Sequence, residues 1–559
     1  ELEFTAETPV TGDITVYAKW TGEHYTVTFK WWAGETKEVQ LVYPQTLSSS
    51  EIPQVGTRTH YTASDNLWYY TNGTYRTPLS EETVITGNIT ATPNWVGNSY
   101  TVTFNNNDGQ SNDPTRVNAK YPNDSPEANP MVRLSPNEIP TVSWENYIFD
   151  GWLYDDGSQT FSTDTVINSD MDVYAYWMGL NAAVVKYGAL SNNTITDRSM
   201  DAVNKTYSIT LKVPSFVTLG TDTVSAVVTP TSNGGSISST TKTVTSTAAN
   251  SFNVTSPVTG KSYTYKVTVD KKTDSDTKIA EGGEITYPSS GSGANKTWDE
   301  VHTFNYSSGS GDQTSYTFKI TRRPTDLTGK VLIVAGGGGG GGMGNNDGGG
   351  GGGAGGVLYT KSEIDMPALN TVVTVKVGNG GAGGSGSGNG SRGLDGKASS
   401  FGSVTAAGGG GGGGGNSSGN GPGNNGGSGG GGGAGSGETT YSGGSTSGST
   451  NSADYTPYGN DGGYSDAGVG GGGGGGAGSH GINAGGDNGK SDGSDKGHGG
   501  NGISFTDISG SDVYAKGGGG GHMVSTQTNN YGDGGLGGSS GNGNAGKAGI
   551  VIVRITLSE

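Results

Sequence analysis

Seven consecutive glycines, Gly336 to Gly342, follow directly on the apolar run Val331-Leu332-Ile333-Val334-Ala335, and eight more, Gly408 to Gly415, follow Val404-Thr405-Ala406-Ala407. Nothing else in the chain restricts its fold so strongly. Glycine loses more conformational entropy on ordering than any other residue, so Gly/Ser/Asn-rich sequence taken alone reads as a flexible linker. Here strand-like runs interrupt it: Ser315 to Ile320, Val331 to Ala335, Thr371 to Val377 and Gly549 to Ile555. The last lies beyond the glycine runs, so a sheet must close across them. A folded alternative to the linker exists. In polyproline-II geometry the chain repeats every three residues, makes no internal hydrogen bonds and turns its N–H and C=O groups sideways. Without Cβ atoms, such strands can pack on every side and bond to one another. The backbone is then the core, and the demand that buried amides be paired is met between strands. The sequence predicts a polyglycine-II lattice flanked by β-strands.

From about residue 274 to the C-terminus the chain resembles the bacterial and phage glycine-rich domain family. The carriers are Trp298 to Phe304, Lys330 to Ala335 with the glycines after it, Val375 to Gly381, Phe401-Gly402 ahead of Val404 to Ala407, and Gly549 to Arg554. A glycine-rich domain is placed at 273–559. Related glycine sandwiches occur in phage tail-fibre adhesins, where loops between glycine helices recognise receptors, so the resemblance implies binding through loops. Residues 438–466 hold Tyr441, Tyr455, Tyr458 and Tyr464 among Ser, Thr, Asn and Gly, and residues 522–533 hold His522, Met523 and Tyr531. Tyrosine among small polar residues is the composition of a paratope. Tyr441, Tyr455, Tyr458, Tyr464, His522 and Tyr531 are therefore the candidate ligand-binding residues. The competing reading is that the tyrosines cap the lattice.

The N-terminal part is built differently. Three segments end alike: Ile14 to Trp20, Ile89 to Trp95 and Met171 to Trp177. After the first two comes the same opening strand, Tyr25-Thr26-Val27-Thr28-Phe29 and Tyr100-Thr101-Val102-Thr103-Phe104. Its period-2 alternation is that of a half-buried strand. Phe149-Asp150-Gly151-Trp152 completes the later unit, with Asn66-Leu67-Trp68 as its divergent counterpart. These units resemble the internalin B-type (Listeria–Bacteroides) repeats. That resemblance implies a β-grasp-like fold strung in tandem as a stalk on a bacterial surface. It gives a C-terminal remnant at 1–20, a divergent repeat at 21–97 and a repeat at 98–178. From 179 to 272, short alternating runs such as Tyr207 to Val213 and Tyr263 to Val269, two of them closed by Pro214 and Pro230, read as a β-sandwich. The closing Tyr265-Lys266-Val267-Thr268-Val269 resembles the last strand of cadherin-like or immunoglobulin-like bacterial sandwiches. The fold class expected is all-β and multi-domain.

Composition narrows the function. The net charge is −18, with no basic stripe, which argues against nucleic acid as a partner. No cysteine is present, so disulfides, thiolate metal sites and cysteine nucleophiles are excluded. No run of about 18 apolar residues is present to insert in a membrane. An anchor, if the protein has one, is expected upstream of residue 1. Ala484 to Ser491 loosely matches a phosphate-binding loop but has no strand before it or helix after it. His480, His498 and His522 lack metal-ligand spacing, so no cofactor is expected. Calcium is an alternative only at Asp155-Asp156-Gly157 and Asn105 to Asp108, which read first as hairpin turns. The function expected is a non-enzymatic, extracellular adhesin of the bacterial surface, its glycine-rich tip binding a host or neighbouring-cell receptor or glycan. The alternative is a structural subunit that self-associates through the glycine-rich domain into a filament or surface layer.

Overall fold

The computed structural model describes residues 2–557 except 111–112, 124, 126–129, 155–156, 234, 323–325, 417–418, 437–438, 451, 468–469, 485–496, 510–511 and 522–526. The described residues are nearly all β, with several separate sheets and only two four-residue α-helices.

The first unit is a five-stranded sheet in the order Thr36–Val42, His24–Lys30, Ile89–Gly97, Tyr61–Asn72, Tyr75–Leu79. Its first and last long strands run parallel, with Val27 opposite Ile89. Alternation carries Val27, Phe29, Trp68, Ala91 and Trp95 into the core, and Phe29 meets Trp68 edge-to-face at 5.0 Å. The second unit repeats this plan. Ser99–Asn105 runs parallel to Met171–Tyr187, and Phe104 meets Trp152 at 4.9 Å. Residues 2–23 form no strand. Consequently Trp20 is 88% exposed, while the matching Trp95 and Trp177 are 4% and 0% exposed inside their sheets.

Met171–Tyr187 is a single strand of 17 residues. Its first half pairs with Tyr147–Tyr154 in the second unit, and its second half pairs with Val224–Ser232 in the sandwich. The boundary expected at 178/179 thus falls inside one strand. The facing sandwich sheet runs Ile195–Asp201, Thr206–Val213, Ser262–Lys271, Asn250–Thr255. Its inward tyrosines, Tyr207 and Tyr265, stack at 5.0 Å. Their hydroxyls donate to Met178 O and Gly179 O, which clamps the sandwich to the shared strand.

A carboxylate makes the second fastening of this joint. Asp150, wholly buried, reaches from the second unit into the hairpin of the sandwich. It accepts from Ser256 Oγ (2.5 Å), Thr259 Oγ1 (2.6 Å) and Tyr263 Oη (2.6 Å), while Lys261 Nζ lies 3.7 Å from Oδ1 and donates to the Asp150 carbonyl. The joint between the sandwich and the glycine-rich domain is as close. Trp298 lies in the sandwich core, Lys296 Nζ meets Asp222 Oδ1 at 2.6 Å, and Leu557 packs against the cores of both.

The C-terminal domain rests on two sheets. One runs Thr297–Asn305, Ile550–Thr556, Thr328–Val334, Val357–Thr360, Tyr455–Tyr458; the other includes Gln313–Ile320, Val372–Gly378 and Ser399–Phe401. Phe304, Phe318, Ile333, Val375, Val377 and Val553 share the core between them. The strands Thr297–Asn305, Ile550–Thr556 and Thr328–Val334 each have one end on the side of Trp298 and Leu557, near the sandwich, and the other near the glycine runs (Val334, Ile550).

Beyond the sheets, glycine is the core. Gly336 to Gly342 are all buried, and their neighbours change with a period of three. The amides of Gly336, Gly339 and Gly342 donate to Lys397, Leu394 and Ser391; those of Gly337 and Gly340 to Lys547 and Asn544; those of Gly338 and Gly341 to Gly353 and Gly350. The distances are 2.8–2.9 Å. Each run therefore bonds to strands on several sides, as the absence of Cβ allows. The strands are closer than side chains would permit: a Cβ built on Gly340 would fall 2.0 Å from Leu536 O.

Candidate ligand-binding site

The structure separates the tyrosines that the sequence groups together. Tyr455 and Tyr458 lie on the edge strand Tyr455–Tyr458, paired with Val357–Thr360. Tyr455 is 4% exposed within the core between the sheets, and burial pushes its hydroxyl pKa up. It is a packing residue and no part of a surface, which corrects its place among the candidates. Tyr458 turns toward Phe505, with ring centroids 5.5 Å apart. Tyr441 lays its ring over Gly421, where any Cβ would collide with it, and its edge comes close to Gly435. Tyr464 and Tyr531 remain exposed, at 57% and 39%. Tyr464 donates its amide to Asn483 Oδ1, and Tyr531 stacks on Tyr514. His522 lies outside the described residues, as do 485–491 of the loop-like match and Asp155 and Asp156. Asn105 and Asn107 donate their amides to carbonyls of the strand Met171–Tyr187.

Concave surfaces of the glycine-rich domain lie elsewhere. A hollow of about 270 Å³ opens on one flank of the glycine array, lined by Ser479, His480, Ile482, His498, Asn501, Lys516, Gln527, Thr528, Asp533 and Leu536. A second hollow of about 350 Å³ shares Leu536 and continues along Ser539 to Asn544. The two are adjacent parts of one groove that meet at Leu536, with glycines among the lining of both. Asp533 is fixed at one end: its carboxylate accepts from Thr528 Oγ1 (2.6 Å), Lys516 N (2.8 Å) and Asn530 N (3.0 Å). Burial, only partly offset by those bonds, raises its pKa. Gln527 Nε2 donates to Ala545 O at 2.8 Å.

The groove offers hydroxyl, amide and imidazole groups, one lysine and one already engaged carboxylate. Such a lining suits a neutral, many-hydroxyl ligand better than a polyanion, and Ile482 and Leu536 give apolar patches for C–H faces. Sequence reasoning considered His480 and His498 only as metal ligands. The structure places both on this groove, and the described residues contain no group of three or more His, Asp or Glu able to hold a metal. The most acid–base-like cluster is sealed: Glu300 and His302 are both 0% exposed. Glu300 accepts from Ile279 N and Ala280 N (both 2.7 Å) and faces His302 Nε2 at 3.0 Å. The pair ties the strand Thr297–Asn305 to its neighbours and is shut off from any substrate.

Fold and surface define an all-β, multi-domain protein with a glycine-rich terminal domain. Residues 312–556 match the family model of the glycine-rich domain, within the region 273–559 expected from the sequence. No curated protein matches the chain. No helix among the described residues is long and apolar enough to cross a membrane.

Proposed function

We propose that this chain is the projecting part of a bacterial surface adhesin, in which a β stalk holds a polyglycine-II tip and the tip binds a glycan through the groove beside Leu536. The observation that carries this reading is the route of the chain through the glycine-rich domain. Trp298, near the start of the strand Thr297–Asn305, and Leu557, just after the last strand Ile550–Thr556, both pack on the sandwich core. The glycine array hangs from the far ends of the same strands, about 20 Å away for seven-residue strands at ~3.3 Å per residue. The array is thereby held away from the sandwich, which supports reading it as the displayed part. The fastened joints at Asp150 and Lys296 support a stiff stalk. The likeness of the two N-terminal units to internalin-type repeats supports a bacterial surface, and the three-residue period of the glycine contacts supports polyglycine-II packing.

The test is adhesion. Beads carrying the full chain are scored on immobilised oligosaccharides and on cells, before and after His480→Ala and Lys516→Ala, which remove groove side chains without touching the glycine bonds. At least a tenfold loss of retention is expected for the double variant. Unchanged retention overturns the groove, and absence of retention by the native chain on every surface overturns the adhesin.

A further inference from the structure

The array ends in a way that its interior does not. In the interior runs Gly336 to Gly342 and Gly349 to Gly356, each backbone amide donates to a backbone carbonyl of another strand. The run Gly408 to Gly415 lies further out. Gly409, Gly412 and Gly415 donate to Gly336, Gly339 and Gly342, and Gly410 and Gly413 donate to Ser428 and Gly431. On the third side Gly414 still finds a backbone carbonyl, Asn420 O at 2.8 Å, whereas Gly411 meets a side chain instead, Asp395 Oδ1 at 2.8 Å.

The same substitution recurs around the outer strands. Ser445 N donates to Asn425 Oδ1 (2.7 Å), Thr446 N to Asp461 Oδ1 (2.6 Å), Tyr464 N to Asn483 Oδ1 (2.7 Å) and Gly386 N to Asn542 Oδ1 (2.8 Å). Asp395, Asn425, Asp461 and Asn542 are exposed. In each case a short side chain supplies the acceptor oxygen that a backbone carbonyl supplies in the interior. Asp, Asn and Ser reach back to backbone amides in this way more readily than other residues do.

We propose that these side chains are terminators. The perimeter of the array is a surface shaped to take a glycine strand from a second copy of the chain, and Asp395, Asn425, Asp461 and Asn542 keep it closed. An open sheet edge poses the same hazard, and proteins block such edges with charge and with side chains that satisfy or hide the free groups. An array of polyglycine strands bonds on more than two sides, so without terminators it has no natural limit to its width. The two carboxylates add repulsion between copies. This inference is independent of what the groove binds, and it says why a glycine-rich surface domain can stay a single copy.

The experiment is sedimentation equilibrium of the full chain over a wide concentration range. The native chain is expected at the mass of one copy. With Asp395→Ala, Asn425→Ala, Asp461→Ala and Asn542→Ala combined, dimers and larger species are expected that grow with concentration. The pair Asp395→Asn and Asp461→Asn removes charge but keeps the oxygen, and stays single. A combined variant with native circular dichroism that remains one copy at every concentration overturns the proposal. So does a native chain that itself associates, with cross-links between copies at 408–415. Should the combined variant not fold, the pair Asp395→Ala and Asp461→Ala, each at an exposed site, is read by the same criteria.

Discussion

Gly340→Ala is expected to lower the melting temperature of the glycine-rich domain by about 10 °C, while Gly541→Ala leaves it unchanged. At Gly340 the added methyl would lie 2.0 Å from Leu536 O and 2.3 Å from its carbonyl carbon. Both are backbone atoms, so no rotamer change relieves the clash. The strand cannot slide away either, because Gly339, Gly340 and Gly341 are bonded to three different neighbours. Overpacking of a close-packed core costs roughly 1–3 kcal/mol and more where the surroundings are rigid. At Gly541 an added Cβ meets nothing within 4 Å. The pair therefore compares one substitution inside the array with the same one at its margin. Calorimetry of both variants checks it, and a linker would be indifferent to either change.

Asp150→Ala is the second large effect. The carboxylate is the common acceptor for Ser256, Thr259 and Tyr263, and all three belong to the next domain. Removing it leaves the buried Tyr263 hydroxyl without its partner, at a cost on the order of 3 kcal/mol. The loss falls on the joint, since the cores of the second unit and the sandwich each keep their side chains. Small-angle scattering should show a broader distribution of long dimensions, and protease cleavage near residues 256–261 should become faster. Lys261→Met is the milder comparison, because Lys261 is 42% exposed and such partners contribute under about 1 kcal/mol.

The strands were legible in the sequence and their boundaries less so. Period-2 alternation in Tyr25 to Phe29 and Tyr100 to Phe104 marked the opening strand of both N-terminal units, because one face of each strand is buried; their parallel partners were not legible. The shared end Val-Tyr-Ala-x-Trp suggested that Met171 to Trp177 closes a domain. Gly179 and Asn181 read as a turn, yet the strand continues through them into the sandwich with only an irregularity between Leu180 and Ala182. The glycine array was legible as an array, but identical residues carry no label saying which run meets which. Tyr455 was misplaced because tyrosine among Ser, Thr and Pro reads alike in a loop and on an edge strand; Pro457, tolerated at a sheet edge, was the available signal. The first hollow alone draws on five separate stretches of chain between Ser479 and Leu536, so no spacing in the chain could reveal it.

Amide hydrogen exchange tests most directly whether the glycine-rich half is a folded tip with its backbone as core. Peptides covering 336–342 and 408–415 are expected to exchange far more slowly than an unstructured chain and to lose protection together with the sheet strand Ile550–Thr556, since their amides are bonded between strands. If those glycine runs instead exchange at the rate of a free chain while Ile550–Thr556 stays protected, the array does not exist as described, and the groove built on it falls as well.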